Sequence, residues 1–352
     1  KRLLQLHQSA GRVSSGFSHK RLPIVRELAN LVEELPDEAV ERVREALDAG
    51  LVFRPVSRRH VDLRSLIFKD LPSRDRERIL RRFRSACVPP SSRTPGFVVL
   101  SDVDDTLLPG SDRLGIAGTD RSHEVDGSLY PGVVAMHTQL RGLLGNHQYS
   151  VLLTARPPIL CKSLAGKFKQ LHGRQNQQLA ILPGDGGMAM PINSLSIMRS
   201  KYGKIGDAKV ARVAEYVQLF HDYVGRFVFL GDDGQADLEA GKVMLAMTGP
   251  RLTGPETETG SDAGSECVMF AFVAIHAVCN AAGKYKVPPE QRAETVRDMR
   301  ARFGPERDPD HGGHHRFFYF TDYADLANQL TDAGWFTSEQ RQAVLQAVAD
   351  DL

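Results

Sequence analysis

The chain has 352 residues, of which 41 % are apolar and 25 % are charged, and its net charge is +2. This composition is typical of a globular protein and excludes a largely disordered or fibrous chain. No apolar run reaches the roughly 18 residues that span a bilayer, so no transmembrane segment is expected. The four cysteines form no Cys-x-x-Cys pair and fit a reducing compartment. We expect a cytoplasmic protein that is peripheral at membranes if it contacts them at all.

The N-terminal quarter of the chain is basic. Residues 1–93 carry 20 Lys or Arg and 12 Asp or Glu, a net charge of +8, so the remainder carries −6. Helical periodicity across 21–86 and a linker composition at 88–96 predict a basic helical N-terminal region with its linker over 1–94. Such a region favours an anionic partner, either a lipid surface or nucleic acid. The equal alternative is a solvated helical surface that is rich in arginine.

Short apolar runs then alternate with helical stretches. The runs have the length and composition of strands buried on both faces of a parallel sheet, at 97–101, 149–154, 179–182, 226–231, 242–247 and 267–275. Helical periodicity is found at 133–144, at 208–223 and in the tail 322–352. Residues 95–352 are therefore expected to form an α/β domain, Rossmann-like and doubly wound, with a mainly parallel sheet.

Three segments interrupt this pattern. A small flap insertion is predicted at 109–130, and flexible loops are predicted at 251–265 and 303–315, where Gly, Pro and charged residues are frequent. The flap has about twenty residues, too few to bury a core of its own. We therefore expect an open site that admits bulky substrates.

Polar residues follow three of the predicted strands. Asp102 and Asp104 follow the first strand, Thr154 follows the second, and Asp232 and Asp237 follow the fourth. Ligands of an open parallel sheet bind beyond the carboxyl ends of its strands, so these side chains should meet there. The set suits phosphoryl transfer, with Asp102 as the nucleophile and Asp104 as the general acid and base.

An anionic site of this kind needs a hard divalent cation and a lysine before it can accept a phosphate. Mg²⁺ is the expected cofactor, and its expected ligands are Asp102, Asp104 (through its backbone carbonyl), Asp232, Asp233 and Asp237. Thr154 is a candidate donor to a phosphoryl oxygen. Thr106, Arg156 and Lys204 are candidates for substrate binding. The catalytic lysine could be Lys201, Lys204 or Lys209.

Together these motifs resemble the four signature motifs of haloacid-dehalogenase-like phosphatases, and within them the catalytic domain of the actin-patch-type phosphatidate phosphatases. The segments that carry the resemblance are 101–106, 130–132, 153–157, 182–184, 231–237, 274–276 and 318–323. The resemblance covers about residues 95–340 and implies a Rossmann-like sheet and Mg²⁺. The apolar positions that follow Lys209 predict that it lies in the first turn of its helix. Lys209 resembles the catalytic lysine of the family best, and Lys204 is the second choice. The chain departs from the family at Asp233, where Ser or Asn is common, and in the stretch that follows Thr106.

These features predict a Mg²⁺-dependent phosphomonoester hydrolase that forms an aspartyl-phosphate, with a lipid phosphate such as phosphatidate as the first candidate substrate. The alternatives are a phosphoprotein or nucleic-acid phosphatase and a catalytically silent binding module of the same fold. His276, at the end of an apolar run, is expected to be a hydrogen-bonded core residue. The histidines at 311, 314 and 315 are not expected to bind a metal.

Overall fold

A computed structural model describes residues 18–40, 44, 64, 67–68, 71–86, 97–109, 128–142, 150–154, 180–182, 202–220, 227–234, 236–250, 266–280, 282–304 and 314–352. The linker predicted at 88–96, most of the predicted flap (110–127), the loop at 251–265 and residues 305–313 lie outside these ranges. Among the described helices, none combines the length and the apolar character that crossing a membrane requires.

Helices and strands alternate through most of the described part of the chain. The helices are α1 (Ser18–Glu33), α2 (Ser73–Ser85), α3 (Val133–Arg141), α4 (Tyr202–Leu219), α5 (Asp237–Leu245), α6 (Pro289–Phe303), α7 (Tyr323–Asp332) and α8 (Ser338–Asp351). The strands are β1 (Val98–Ser101), β2 (Val151–Leu153), β3 (Ala180–Leu182), β4 (Phe227–Asp232), β5 (Thr248–Pro250), β6 (Glu266–Val268), β7 (Phe270–His276) and β8 (Phe317–Phe320).

Within the described residues, six strands form one parallel sheet in the order β3-β2-β1-β4-β7-β8, while β5 and β6 form a separate antiparallel pair. From β1 the chain adds β2 and β3 on one side, and it then crosses back to place β4 on the other side. The strand order therefore reverses between β1 and β4, where open α/β sheets form their ligand-binding crevice. The predicted α/β fold with a mainly parallel sheet is confirmed at this level.

Helices cover both faces of the sheet. On one face, β1 and β4 share an apolar cluster with α4, α5 and the N-terminal helices, and on the other face they share one with α3, α7 and α8. Every residue of β1, β4 and β7 is buried, which explains why their sequences show no alternation of polar and apolar residues. Burial of a large apolar side chain contributes about 1.5–3 kcal/mol, so these strands form the main core.

Two strand predictions are wrong. The run at 242–247 is not a strand, because α5 continues through it to Leu245. Val243 is 49 % exposed while Met244 and Leu245 are buried, which is the one-sided burial of a surface helix. A short apolar run cannot distinguish these two structures by periodicity alone. The run at 267–275 is divided at Met269 between β6 and β7, which belong to different sheets. In addition, the strand β8 was not predicted.

The N-terminal region packs against α4 through α2, and α1 packs on α2. Part of α1 and part of α2 belong to the same apolar core as α4. Arg44 donates a hydrogen bond to the carbonyl of Leu219 at 3.1 Å, and Arg64 forms an ion pair with Glu215 at 2.6 Å. The basic region is thus attached directly to a helix of the α/β domain.

Part of the positive charge of this region is neutralised within the region itself. Several of its described arginines form ion pairs with its own acids: Arg26 with Asp75, Arg78 with Glu33 and Arg82 with Asp37. The side chains of Arg74, Arg81 and Arg84 on α2 are exposed. A basic surface is therefore retained on α2, although it is smaller than the sequence count suggests.

Gly132 precedes α3 with a left-handed φ of +76°, and a Cβ atom there would overlap Cγ2 of Val348 in α8. We expect Gly132→Ala to lower the free energy of unfolding by more than about 2 kcal/mol, because backbone strain and overpacking add together. Gly283 has a similar φ of +71° with no atom near its Cβ position, so Gly283→Ala should cost only about 1 kcal/mol. Urea denaturation measures both variants, and equal losses would contradict close packing of α8 on α3.

Candidate functional site

The predicted site residues that the structure describes lie at the carboxyl edge of the sheet. Asp102 directly follows β1, Thr154 follows β2, Asp232 is the last residue of β4 and Asp237 is the first of α5. The amide of Asp102 donates to the carbonyl of Leu230 at 2.9 Å, so the pairing of β1 with β4 continues up to Asp102. The residues therefore lie at the reversal of strand order, where the topology places a crevice.

Three carboxylates converge at this point. Asp102, Asp232 and Asp237 each offer one oxygen atom, and these atoms lie within 4.8 Å of one another. All three side chains are buried. Carboxylates are rarely buried together unless a cation compensates their charge.

Lys209 supplies one such cation. It is fully buried, and its Nζ donates to Oδ1 of Asp102 at 2.7 Å and to Oδ1 of Asp237. The expectation that Lys209 lies in the first turn is wrong, since α4 begins at Tyr202 and Lys209 is its eighth residue. Lys201 and the side chain of Lys204 lie outside the described residues. Of the three candidate lysines, the described geometry places Lys209 in the site.

Burial dominates the protonation of this cluster. It raises the pKa of Asp102 to about 8 even though Lys209 lowers that pKa, and it raises the pKa of Asp232 well above the ordinary value. Burial alone would lower the pKa of Lys209, but the neighbouring carboxylates, Asp102 foremost, outweigh it and raise that pKa. Lys209 is therefore charged, whereas the ionised state of Asp102 is costly without further positive charge.

The cluster has the charge and the donor atoms that a divalent cation requires. With all groups ionised, three carboxylates and one ammonium leave a charge of −2. Oδ2 of Asp102 and Oδ2 of Asp237 are buried, and neither has a hydrogen-bond partner among the described residues. Buried carboxylate oxygens of this kind are the ligands that Mg²⁺ and Ca²⁺ prefer, so the residues fit such an ion.

Gly231 allows Asp237 to approach the end of β4. A Cβ atom at position 231 would lie 2.7 Å from Cβ of Asp237 and 2.8 Å from the ring of Phe229. The turn that follows is closed by the amide of Gly234, which donates to Oδ1 of Asp232 at 2.6 Å. The spacing of the Gly-Asp-x-x-x-x-Asp segment thus brings its two aspartates together.

Three other predicted residues lie at the same edge of the sheet as the cluster. Asp104 is partly exposed, and it lies close enough to Asp102 to raise the pKa of that residue. Thr154 is buried at the end of β2, and its amide donates to the carbonyl of Leu182 at 3.2 Å. Thr106 is buried, and its hydroxyl has no hydrogen-bond partner among the described residues. All three lie on segments that begin at the carboxyl ends of neighbouring strands.

Asp233 lies outside the three-carboxylate cluster. One of its carboxylate oxygens accepts from the amide of Val278 at 2.9 Å, and the other accepts from the hydroxyl of Tyr319 at 2.9 Å. These contacts tie Asp233 to the segments at β7 and β8, and they do not support its expected role as a metal ligand. Arg156 lies outside the described residues, so its role stays a prediction.

Two site-forming residues were not predicted. Arg212 is buried and donates to the carbonyl of Thr154 at 3.1 Å, so it holds the end of β2. It follows Lys209 by three residues and therefore lies on the same face of α4, a spacing that could have revealed it. Asp105 is buried with a left-handed φ of 60°, and its charge contributes to the raised pKa of Asp232. No sequence pattern predicts that backbone conformation.

Comparisons with protein-family models, with curated protein sequences and with solved structures find no match for this chain.

The raised pKa values of Asp102 and Asp232 predict that Mg²⁺ stabilises the protein more as the pH rises. Protonation of these carboxyls stabilises the native state at low pH, and this contribution is lost as the pH rises through about 8 for Asp102. A cation needs the deprotonated ligands, so the rise in Tm at one fixed Mg²⁺ concentration should be larger at about pH 8.5 than at about pH 6.

At a Mg²⁺ concentration of about 100 times its Kd, binding would raise the free energy of unfolding by about 2.7 kcal/mol. Asp237→Asn should abolish the shift. Glu239→Gln is the matched control, because Glu239 is an exposed acid two residues away on the same helix, and it should leave the shift intact. A Mg²⁺ shift that is independent of pH, or equal in both variants, would contradict this site.

Proposed function

We propose that the chain is a Mg²⁺-dependent phosphomonoester hydrolase of the haloacid-dehalogenase-like type, working through an aspartyl-phosphate on Asp102. The observation that carries the proposal is the buried cluster at the reversal of strand order. There Lys209 contacts both Asp102 and Asp237, and Asp232 brings a third carboxylate within reach of one cation. Carboxylates, a lysine and a cation at this position suit phosphoryl transfer.

In the first step, a carboxylate oxygen of Asp102 attacks the phosphorus of the substrate. An oxygen–phosphorus bond forms to Asp102 while the bond from phosphorus to the ester oxygen breaks. Lys209 donates to Oδ1 of Asp102 and so limits the rotation of the carboxylate. Oδ2 of Asp102 has no hydrogen-bond partner among the described residues.

Asp104 transfers the protons. It gives a proton to the departing ester oxygen, and its carboxylate then takes a proton from water as that water attacks the phosphorus. The second step breaks the bond between Asp102 and phosphorus, releases inorganic phosphate and restores both aspartates. Asp104 suits this role because it is partly exposed and reaches water, whereas Asp102 is 3 % exposed.

The remaining residues stabilise charge. Asp102, Asp232 and Asp237 would hold Mg²⁺, which supplies positive charge to the carboxylates and to the phosphoryl oxygens. Thr154 and Lys209 would donate hydrogen bonds to phosphoryl oxygens. Arg212 holds the backbone of Thr154 in place through its carbonyl.

The proposed substrate is a lipid phosphate such as phosphatidate, presented by an anionic membrane surface. The exposed arginines of α2 support this, because they lie on a region that packs on α4, the helix that carries Lys209. The flap proposed at 109–130 would leave room for a bulky headgroup. A phosphoprotein or a nucleic acid is the alternative anionic substrate.

Asp102→Asn should lower turnover by at least about 10⁴-fold, because an amide of the same shape cannot attack phosphorus. The fold should be retained, because asparagine has nearly the same shape as aspartate and its amide oxygen can still accept a hydrogen bond from Lys209. Release of inorganic phosphate from phosphatidate and from p-nitrophenyl phosphate, with Mg²⁺ and with chelator, measures the activity. Glu239→Gln should retain full activity. Activity of Asp102→Asn comparable to wild type, or full wild-type activity in chelator, would refute the mechanism.

If exposed arginines on α2 hold the protein against a membrane, hydrolysis of phosphatidate in anionic vesicles should decrease steeply as salt increases. Hydrolysis of p-nitrophenyl phosphate should barely change, because its reaction involves no extended charged surface. A variant carrying R74Q, R81Q and R84Q should lose most of the salt dependence on vesicles and keep its activity on the soluble ester. Equal salt dependence for both substrates in the wild type would contradict binding to a membrane surface and favour a soluble substrate.

A further inference from the structure

Two side chains from other parts of the fold bind the backbone of the loop that follows β1. Nδ1 of His276 lies 2.7 Å from the carbonyl oxygen of Asp105, and the hydroxyl of Tyr323 donates to the carbonyl of Thr106 at 2.8 Å. His276 is the last residue of β7 and Tyr323 is the first residue of α7. Both are buried. Consecutive carbonyls of this loop are thus held from β7 and from α7.

His276 also contacts a second loop. Its Nε2 lies 3.1 Å from the carbonyl of Thr321, so its ring lies between the loop after β1 and the connection from β8 to α7. A neutral imidazole carries one N–H and can donate to one of these carbonyls, whereas an imidazolium donates to both. The rings of Tyr130 and Phe320 pack on it with centroids at 5.0 Å and 5.2 Å, which restricts its rotation.

The loop needs such support because its backbone is strained. Asp105 has a left-handed φ of 60°, a conformation that costs free energy for a residue with a Cβ atom, although Asp adopts it more often than most residues do. Strained backbone persists only where the surrounding contacts hold it. Asp104 immediately precedes this residue, so a relaxation at Asp105 would move the Asp104 carboxyl relative to Asp102.

We propose that His276 and Tyr323 are positioning residues that hold the strained loop and thereby fix Asp104 relative to Asp102. This inference rests on the proposed function, since the geometry that it protects is that of the proton transfer by Asp104. Neither side chain acts on the substrate. Their contribution is to the rate of the chemical step, where a displacement of about 1 Å can cost about a hundredfold.

The hydrogen bonds can be separated from the packing by matched variants. Leucine and asparagine have nearly the same shape, but only asparagine carries an N–H close to the position of Nδ1. His276→Leu therefore removes the polar contacts of both ring nitrogens, and His276→Asn can restore a hydrogen bond to the carbonyl of Asp105. Tyr323→Phe removes only the hydroxyl that binds Thr106, and it provides a second route should His276→Leu fail to fold.

A destabilised control comes from the opposite edge of the sheet. Arg316 precedes β8 and donates to the carbonyls of Phe270 and Ala271, at the amino ends of the strands. Arg316→Met should lower stability without any effect on the loop after β1. This variant shows how a general loss of stability, without loss of positioning, affects hydrogen exchange and kcat.

The first measurement is hydrogen exchange of a peptide that spans residues 102–108, which requires no activity. Exchange should be faster in His276→Leu and Tyr323→Phe, and it should return toward the wild-type rate in His276→Asn. The second measurement is steady-state kinetics with Mg²⁺. His276→Leu and Tyr323→Phe should lower kcat by about tenfold to a hundredfold with little change in KM, and His276→Asn should recover most of kcat.

Unchanged exchange and unchanged kcat in both donor-less variants would overturn the proposal, as would His276→Asn behaving like His276→Leu. An equally large increase in exchange and decrease in kcat in Arg316→Met would also overturn the proposal, because general destabilisation would then explain both changes. A wild-type protein with no phosphatase activity would refute the proposed function instead. In that case the exchange data still decide whether these side chains hold the loop.

Discussion

The contact of the Lys209 ammonium with Asp102 and Asp237 is the interaction on which the rest of the site depends. Removing charged groups from water costs several kcal/mol for each ion, and a single lysine offsets only part of that cost for three carboxylates. The cluster is therefore short of positive charge, and the raised pKa of Asp102 is a direct consequence. A protein that needed only stability would gain by replacing these residues with apolar ones. Their presence in the core is consistent with the proposed function, which uses negative charge and a cation.

The topology of the sheet creates this concentration of charge. Parallel strands direct all their carboxyl ends to one edge, and the reversal between β1 and β4 opens a space there between the helices that follow them. Asp102 and Asp232 are brought together by the direct pairing of β1 with β4, which places Ser101 opposite Leu230. Lys209 reaches the same point from α4. From the N-terminal region, α2 packs on α4 and Arg44 binds its last carbonyl, so this region supports the helix that carries the lysine.

Around the charged cluster lies a layer of hydrogen bonds that holds backbone rather than substrate. Arg212 binds the end of β2, and His276 and Tyr323 bind the loop after β1. Asp233 belongs to this layer too, through Val278 and Tyr319. For the proposed reaction, surroundings fixed in this way would suit the electrostatic stabilisation of a transition state.

Many of the strands, and the polar residues at their ends, were predictable from local sequence. Apolar runs that end in Asp102, Thr154 and Asp232 indicate buried parallel strands with polar ends, because period and burial are local properties of the chain. The same reasoning failed at 242–247, since an apolar run of that length packs equally well as the end of a helix. It also failed to predict β8, although all four of its residues are buried.

Only the tertiary structure decided which polar residues share the site. Asp232 and Asp233 are adjacent in sequence, yet Asp232 faces the cluster and Asp233 is held by Tyr319, because β4 ends at Asp232 and the chain bends at Asp233. The choice of Lys209 depends on where α4 begins and how it packs. The role of His276 depends on a carbonyl 171 residues away in the chain. Sequence by itself determined the residue types and the strand ends, whereas their distances follow from long-range packing that no local pattern encodes.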